Sequence, residues 1–271
     1  MKTIEDRIRD NIIRDYGNIQ SIDELEQHIL QHQEHKGNLF ESHIAKKFPK
    51  DFFKDKSILE IGCGFGGNII HLSKNYNCNA IGIDLDSDAI DIAKEIANNE
   101  KLDENIFINC PAEEVTKHID KKFDIIISIQ VLEHVQDIKK SIDEMLSLLN
   151  DGGYIYIHVP NYDTKFETHY RLKMPSNRKD DFMEMLNSKG LDSSFAEDLN
   201  FVNYSYFKNI LTNLTVDERY ILPWDVDIYD KRYQIRKNSS IFKFLPKIGY
   251  IIRAIVYRFK VPSSIIVIVK K

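Results

Sequence analysis

The hydrophobic rhythm of the chain changes twice. From Met1 to about Asp55 apolar residues recur at helical spacing among many charges, and "SIDELEQHILQHQEH" opens on Ser21 with Glu24 three residues on, the signature of a helix start. This stretch predicts an N-terminal helical cap. From Lys56 to about Asn161 short β-branched runs take over: "SILEI", "NAIGID", "NIFIN", "FDIIISI" and "GGYIYIHV", separated by longer amphipathic stretches. Runs that are apolar on both faces and joined by helix-length crossovers are the mark of buried parallel strands. From Tyr162 to Lys271 the pattern loosens into a loop rich in charge and aromatics, a helix-strand pair in "YSYFKNILTNLTVDERYIL", a basic helical piece and a closing strand, "SSIIVIVKK". The expected fold class is α/β: a mostly parallel sheet finished by an antiparallel edge, with helices on both faces and a basic helical insertion before the last strand. The regions 1–55, 56–161 and 162–271 are then a cap, a core, and the acceptor loop and final strands that complete the same domain.

The candidate chemistry starts at "LEIGCGFGG", directly after the first strand and at the opening of a helix. Gly62, Gly64 and Gly66 fall where the chain needs positive φ and where a ligand would touch backbone. By itself that pattern is also an ordinary tight turn. The context sharpens it, because Glu60 stands two residues before the first glycine and Asp84 ends the next strand, where a carboxylate can accept both hydroxyls of a ribose. A dinucleotide would bring a pyrophosphate, which prefers helix N-terminal amides with no acid alongside. S-adenosylmethionine brings an ammonium and a sulfonium, which an acid attracts. Glu60 tips the choice towards the latter.

Ser57 to Asn161 resembles the core of the class I S-adenosylmethionine-dependent methyltransferases. "LEIGCGFGG" is similar to the first motif of that family, "IGIDLD" to its acidic second strand, "FDIIISIQVLEHV" to its fourth strand with the following helix, and "LNDGGYIYIHVPN" to its fifth. The resemblance implies a seven-stranded Rossmann-like sheet whose sixth and seventh strands are about 215–222 and 264–269. It also implies that Glu60, Gly62, Cys63 and Gly64 surround the methionine part, that Asp84 holds the ribose and that Leu85 flanks the adenine. Ala112 and Glu113 would line the adenine edge, and Ser128, Ile129 and Gln130 would meet the amine and the methyl-bearing face. Pro111 stands where an aspartate is frequent in the family. S-adenosyl-L-homocysteine would be the product.

The acceptor side is less specific. Glu133 and His134 in "VLEHV" are expected at the start of the helix after the fourth strand. Quinone-precursor O-methyltransferases resemble the chain here and bind a divalent metal through two glutamates and a histidine; Gln130 replaces the first glutamate, so a divalent metal at Glu133 and His134 is not favoured, although a ligand supplied by the substrate could complete such a site. "HVPNYDTKFETHYRLKMPS" resembles methyltransferases of bacterial surface-polysaccharide pathways, and His158, Asn161, Glu167, His169, Tyr170 and Arg171 suit a polyhydroxylated acceptor. His169 or His134 would be the base, with Glu167 and Glu133 beside them. Glu167 and His169 also read as a charged loop that only closes over the site. The expected activity is O-methylation of a sugar or sugar-containing glycan intermediate. The alternatives are a quinone precursor or other small molecule, and a cofactor-binding domain without catalysis.

Composition changes this picture little. A net charge of −5, with 42% apolar and 29% charged residues, describes an ordinary globular chain and offers no field for nucleic acid. Three cysteines, Cys63, Cys78 and Cys110, lack metal or redox spacing, and no targeting segment appears, so a cytoplasmic location is expected. "IIVIV" is too short to span a bilayer. Between 231 and 260 lysines and arginines occur with no acid, beside an apolar stripe of Ile248, Ile251, Ile252, Ile255, Val256 and Phe259. Two readings stand for this piece: a stripe packed on the sheet or on the second subunit of a homodimer, and a peripheral surface for anionic lipid or a diphosphate-linked sugar. His28, His32 and His35 share a helical spacing but sit among glutamines and read as a solvated face.

Overall fold

The computed structural model describes residues 31, 34–45, 48–49, 51–167, 170–223 and 264–271. His28, His32, His169 and the basic piece 231–260 lie outside the described residues, as does most of the expected N-terminal cap. The strands are β1 (Ser57–Ile61), β2 (Asn79–Asp84), β3 (Phe107–Asn109), β4 (Phe123–Ile129), β5 (Leu149–Pro160), a short pair β6 (Phe166–Glu167) and β7 (Leu172–Lys173), then β8 (Glu218–Pro223) and β9 (Ser264–Lys270). Seven of them form one sheet in the order β3-β2-β1-β4-β5-β9-β8, and β6 and β7 form a two-stranded antiparallel sheet of their own. β1 pairs in parallel with both β2 and β4, β2 pairs in parallel with β3, and β8 runs antiparallel to β9. The mostly parallel Rossmann-like sheet with an antiparallel edge is thus present.

Two compact units divide the chain. The first comprises 1–128 and 140–155. Its centre is β1, whose Ile58, Leu59 and Ile61 are fully buried because a parallel strand with neighbours on both sides meets no water on either face. Helix α1 (Gly67–Asn75) buries Ile69, Ile70 and Leu72; helix α2 (Ser87–Asn99) buries Ala89, Ile90, Ile92, Ala93 and Ala97, a stripe at helical spacing. Asp86 starts α2 by accepting the free amides of Asp88 and Ala89. Helix α3 (Ile138–Leu148) belongs to this unit except for its first turn. A helical run over 34–39 and a π-helical turn at Phe40–Ile44 bury Phe40 and Ile44.

The order of strands reverses direction at β1 and β4, with Ile61 opposite Ser128 at their carboxyl ends. Open α/β sheets leave a crevice at such a reversal, and the glycine segment leaves β1 there.

The second unit comprises 129–139 and 156–271. It holds a 3₁₀ turn at Tyr162–Thr164, the β6-β7 pair, and helices α4 (Lys179–Ser188), α5 (Ser194–Glu197) and α6 (Tyr204–Thr212). β9 buries Ile265 to Val269 without a break.

Four sequence expectations shift. Asn105 and Ile106 belong to a 3₁₀ turn, since Asp103 caps it by accepting the Asn105 amide at 2.9 Å, and β3 starts only at Phe107. β5 begins at Leu149, before Gly152 rather than at it, and β8 begins at Glu218. Glu133 and His134 lie in a turn, closed by the His134 amide donating to the Val131 carbonyl at 2.8 Å, and the helix waits until Ile138, after Asp137. On α6, Tyr206 is exposed and Phe207 is buried. Among the described residues no helix is long and apolar enough to cross a membrane.

Gly64 and Gly66 separate two kinds of glycine requirement. Both have positive φ, +52° and +78°, but a Cβ at Gly64 would meet nothing within 4 Å, whereas one at Gly66 would lie 2.4 Å from Cζ of the buried Phe107. Gly64→Ala is expected to cost about 1–2 kcal/mol of backbone strain. Gly66→Ala adds overpacking to the same strain, for a total of about 2–5 kcal/mol. Urea unfolding of the two variants checks this order, and equal losses would contradict it.

Candidate active site

The first unit builds a cradle around the glycine turn. The amides of Gly62 and Cys63 both donate to the Ile83 carbonyl, at 2.8 and 2.9 Å, which draws the turn against the end of β2. Gly82 makes that approach feasible, because a Cβ there would sit 2.7 Å from the Cβ of Cys63. Cys63 is therefore a small side chain packed over a bare strand. The Asp84 carboxylate closes the turn from the other side: Oδ2 accepts the Gly64 amide at 2.8 Å and Oδ1 accepts the Asp86 amide at 2.9 Å. Burial holds the Asp84 carboxyl above its usual range despite those bonds. Asn109 fastens the next segment by donating to the carbonyls of Asp84 and Leu85. Leu85 itself stands 72% exposed, unusual for a leucine beside such an anchored turn.

Glu60 lies under the turn, buried, with Oε1 accepting a 2.6 Å bond from Nδ2 of Asn68 on α1. Its Oε2 is buried with no hydrogen-bond partner. Burial pushes the Glu60 carboxyl up to about 7, while the Asn68 bond and, more weakly, the charge of Lys36 oppose the rise. Ser128, at the end of β4, is fully buried and its hydroxyl also lacks a partner. Ala112 is buried and Glu113 half-buried at the start of a 3₁₀ turn, Ala112–Lys117. Orphaned polar atoms of this kind are costly in a finished core, so they mark where a ligand completes the structure.

The second unit gathers the acceptor-side candidates. Gln130 takes positive φ, +56°, while its amide donates to the His158 carbonyl at 2.7 Å, and Ile129 before it is half-buried. Glu133 is fully buried, and neither carboxyl oxygen has a hydrogen-bond partner. Its main-chain carbonyl is tied down by the Asn200 amide at 2.6 Å. Nε2 of His134 lies 3.9 Å from Oε1 of Glu133, on a side chain that is 33% exposed. Glu167, also fully buried, accepts the Tyr170 amide at 2.7 Å and the Tyr162 hydroxyl at 3.4 Å. Burial, with a further push from the charge of Glu167, lifts the Glu133 carboxyl to about 8. Tyr162 is raised as well, by its burial and then by the two glutamates, and its ring stacks on Phe201 at 4.2 Å.

Known proteins can now be set beside this geometry. Residues 30–206 match the family described as a methyltransferase domain. The chain belongs to the methyltransferase-domain family. In class I members of this family, the type to which the sheet conforms, the methyl donor is S-adenosylmethionine. Over 104 residues, 38% of the chain and 36% of the relative, it is 35% identical to norajmaline N-methyltransferase of Rauvolfia serpentina. Over 112 residues, 41% of the chain and 47% of the relative, it is 31% identical to a ubiquinone biosynthesis O-methyltransferase of Coxiella burnetii strain Dugway 5J108-111. The chain thus spans less than half the length of the curated relatives it matches. The crystal structure of the plantazolicin methyltransferase BamL, in complex with a triazolic desmethylPZN analog and SAH, shares the fold: the TM-score is 0.56 at 16% identity, covering 99% of this chain and 96% of that one.

In this methyltransferase-family chain the expected site residues fall into two groups. Glu60, Gly62, Cys63, Gly64, Asp84, Leu85, Ala112, Glu113 and Ser128 are in the first unit; Ile129, Gln130, Glu133, His134 and Glu167 are in the second. Glu167 is buried rather than part of a charged surface loop, because its carboxylate closes the turn into Tyr170. His158 pairs its Nε2 with the Ser264 hydroxyl at 2.9 Å. Two contributors escaped the sequence reading. Asn68 could have been found as an amide one turn along from the glycines, eight residues after Glu60. Tyr162 had no signal beyond its place after Pro-Asn. Among the described residues no group of three or more His, Cys, Asp or Glu could hold a metal ion.

The two orphaned acids set a pH dependence. Glu60 and Glu133 keep their protons up to about 7 and about 8 in the folded chain, whereas an unfolded glutamate releases its proton near its ordinary 4.5. Between those values the folded state binds more protons, so these groups stabilise the ligand-free protein below about pH 4.5, and their contribution is lost as pH rises through about 8. Glu133→Gln removes one of the two groups. Its melting temperature is expected to exceed that of the parent above about pH 8, with a flatter pH dependence below it. Melting curves across that range check the sign, and a variant that melts lower throughout would contradict it.

Proposed function

We propose that the protein transfers a methyl group from S-adenosylmethionine to a small-molecule acceptor with a sugar-like, polyhydroxylated body, with oxygen as the receiving atom. The observation that carries the methyl-transfer part is the acidic cradle: a buried Glu60 oxygen with no partner beside a glycine turn anchored by Asp84. A donor ammonium placed at Glu60 would neutralise the orphaned carboxylate, and Asp84 retains lone pairs for the ribose hydroxyls. Gly62, Cys63 and Gly64 would face the methionine part, Leu85, Ala112 and Glu113 the adenine, and Ser128, Ile129 and Gln130 the amine and methyl end. The open space beside Gly64 supports the close approach this requires.

Methyl transfer is an in-line displacement, so positioning supplies much of the rate, and an acceptor hydroxyl must also lose a proton. His134 is the candidate base among the described residues, with a partly exposed imidazole and a carboxylate 3.9 Å behind it; His169 is the candidate outside them. Glu133 and Glu167 set the charge of the acceptor side. The sugar-like body rests on the sequence pattern from His158 to Arg171, and the O-methyltransferase likeness favours oxygen.

Calorimetry with S-adenosylmethionine and S-adenosylhomocysteine tests the donor assignment, and binding of neither would end it. Asp84→Ala is expected to weaken S-adenosylhomocysteine by about 10–100-fold, the size of a lost pair of charge-assisted bonds. His134→Ala and His169→Ala, made side by side, separate base from bystander: loss of the base lowers turnover about 100-fold or more with donor affinity unchanged.

A further inference from the structure

Glu133 and Glu167 place two fully buried carboxyl groups in one unit, and Tyr162, which donates to Glu167, belongs to the same unit. Glu167 has a donor on each oxygen, from the Tyr170 amide and the Tyr162 hydroxyl. Glu133 has no hydrogen bond to either oxygen. A fully buried acid with no hydrogen bond to either oxygen is an expensive arrangement that packing alone does not require; an apolar side chain of the same volume would fill that space at lower cost. Among the described residues the imidazole of His134 comes to 3.9 Å of Glu133, beyond hydrogen-bond reach. That imidazole is partly exposed, whereas the Glu133 side chain is fully buried.

Building on the proposed methyltransferase function, we infer that Glu133 and Glu167 form a seat for a primary or secondary ammonium group carried by the methyl acceptor. An ammonium offers N–H donors that match the empty oxygens of Glu133, and its charge offsets the acid pair. Tyr162, buried and donating its hydroxyl to Glu167, supplies a polar neighbour of the right kind. The rise of the Glu133 carboxyl to about 8 in the ligand-free chain has the same meaning: without a cation the site takes up a proton instead. With the sugar-like body of the proposed function, the acceptor class becomes amino sugars. The seat concerns what anchors the acceptor, whichever heteroatom receives the methyl.

The test uses the full chain saturated with S-adenosylhomocysteine and two pairs of probes that differ by one group: D-glucosamine against D-glucose, and ethanolamine against ethylene glycol. Calorimetry is expected to show that the ammonium member of at least one pair binds and its hydroxyl twin does not. Preference within the sugar pair identifies an amino-sugar body, and preference within the second pair a simpler amine. Glu133→Gln, checked for an intact melting transition, is expected to weaken the preferred ammonium probe by about 10–100-fold. Glu167→Gln serves as a second variant with the same expected direction. Twins that bind equally, or a preference that survives Glu133→Gln, would overturn the inference. Ammonium preference in a chain that binds neither S-adenosylmethionine nor its product would leave the seat standing and remove the methyltransferase reading.

Discussion

One carbonyl and one carboxylate hold the functional end of the first unit together. The Ile83 carbonyl receives two consecutive amides from the glycine turn, and the Asp84 side chain, one residue on, receives a third. The turn after β1 is thereby hung on the end of β2, across the parallel register that sets Ile61 beside Ile83. Those bonds are possible only because Gly62 and Gly64 take positive φ, and because Gly82 lets Cys63 lie flat on its backbone. Each piece is modest, since a neutral hydrogen bond contributes about 1 kcal/mol net. Their joint effect is geometric: the turn is rigid before any ligand arrives, so less ordering entropy remains to oppose binding.

Burial of acids is the second constraint. Glu60 and Glu133 each have an orphaned carboxyl oxygen, and in both the loss of water, more than any neighbouring charge, raises the proton affinity. Stability is thereby conceded at neutral pH in two places. Proteins keep such concessions where a ligand returns the missing interactions, and a cationic ligand suits both positions. Each acid feels a second carboxylate, Asp84 for Glu60 and Glu167 for Glu133, but Glu60 also has the Asn68 amide donor and the charge of Lys36 to oppose it, whereas Glu133 has no donor on its carboxyl group. One position therefore needs a cation more urgently than the other.

Most of the first unit was legible in the sequence because its signals are local. β1, β2 and β4 coincide with the runs that announced them, since a buried parallel strand is apolar along its whole length and a glycine or acid ends it. Where the reading slipped, a local hydrogen bond closed a turn, from a side chain at Asp103 and from the main chain at His134. Asp103 capped a 3₁₀ turn and took two residues from the third strand, and the Val131 to His134 turn kept Glu133 out of the helix expected for it. Such local turns compete with regular structure, by polar side chains in the first case, and periodicity carries no trace of them.

Glu167 shows what sequence pattern omits. In "TKFETHY" a glutamate between polar and aromatic residues reads as surface, yet it is buried and bonded to Tyr162 and Tyr170, five residues before it and three after. Neither tyrosine is notable alone. Their meaning comes from β6 and β7, a pair only two residues long on each side, which folds Phe166–Glu167 back against Leu172–Lys173. A hairpin that short has too few strand residues to sustain itself. The carboxylate that closes it onto Tyr170 is therefore part of what forms it, and charge on Glu167 matters to local structure as well as to whatever the second unit binds. Removing that charge would loosen the hairpin, whereas removing the charge of Glu133, which bonds nothing with its carboxyl group, would leave it in place. The two glutamates share a burial and a sign, but only one of them is held by the fold.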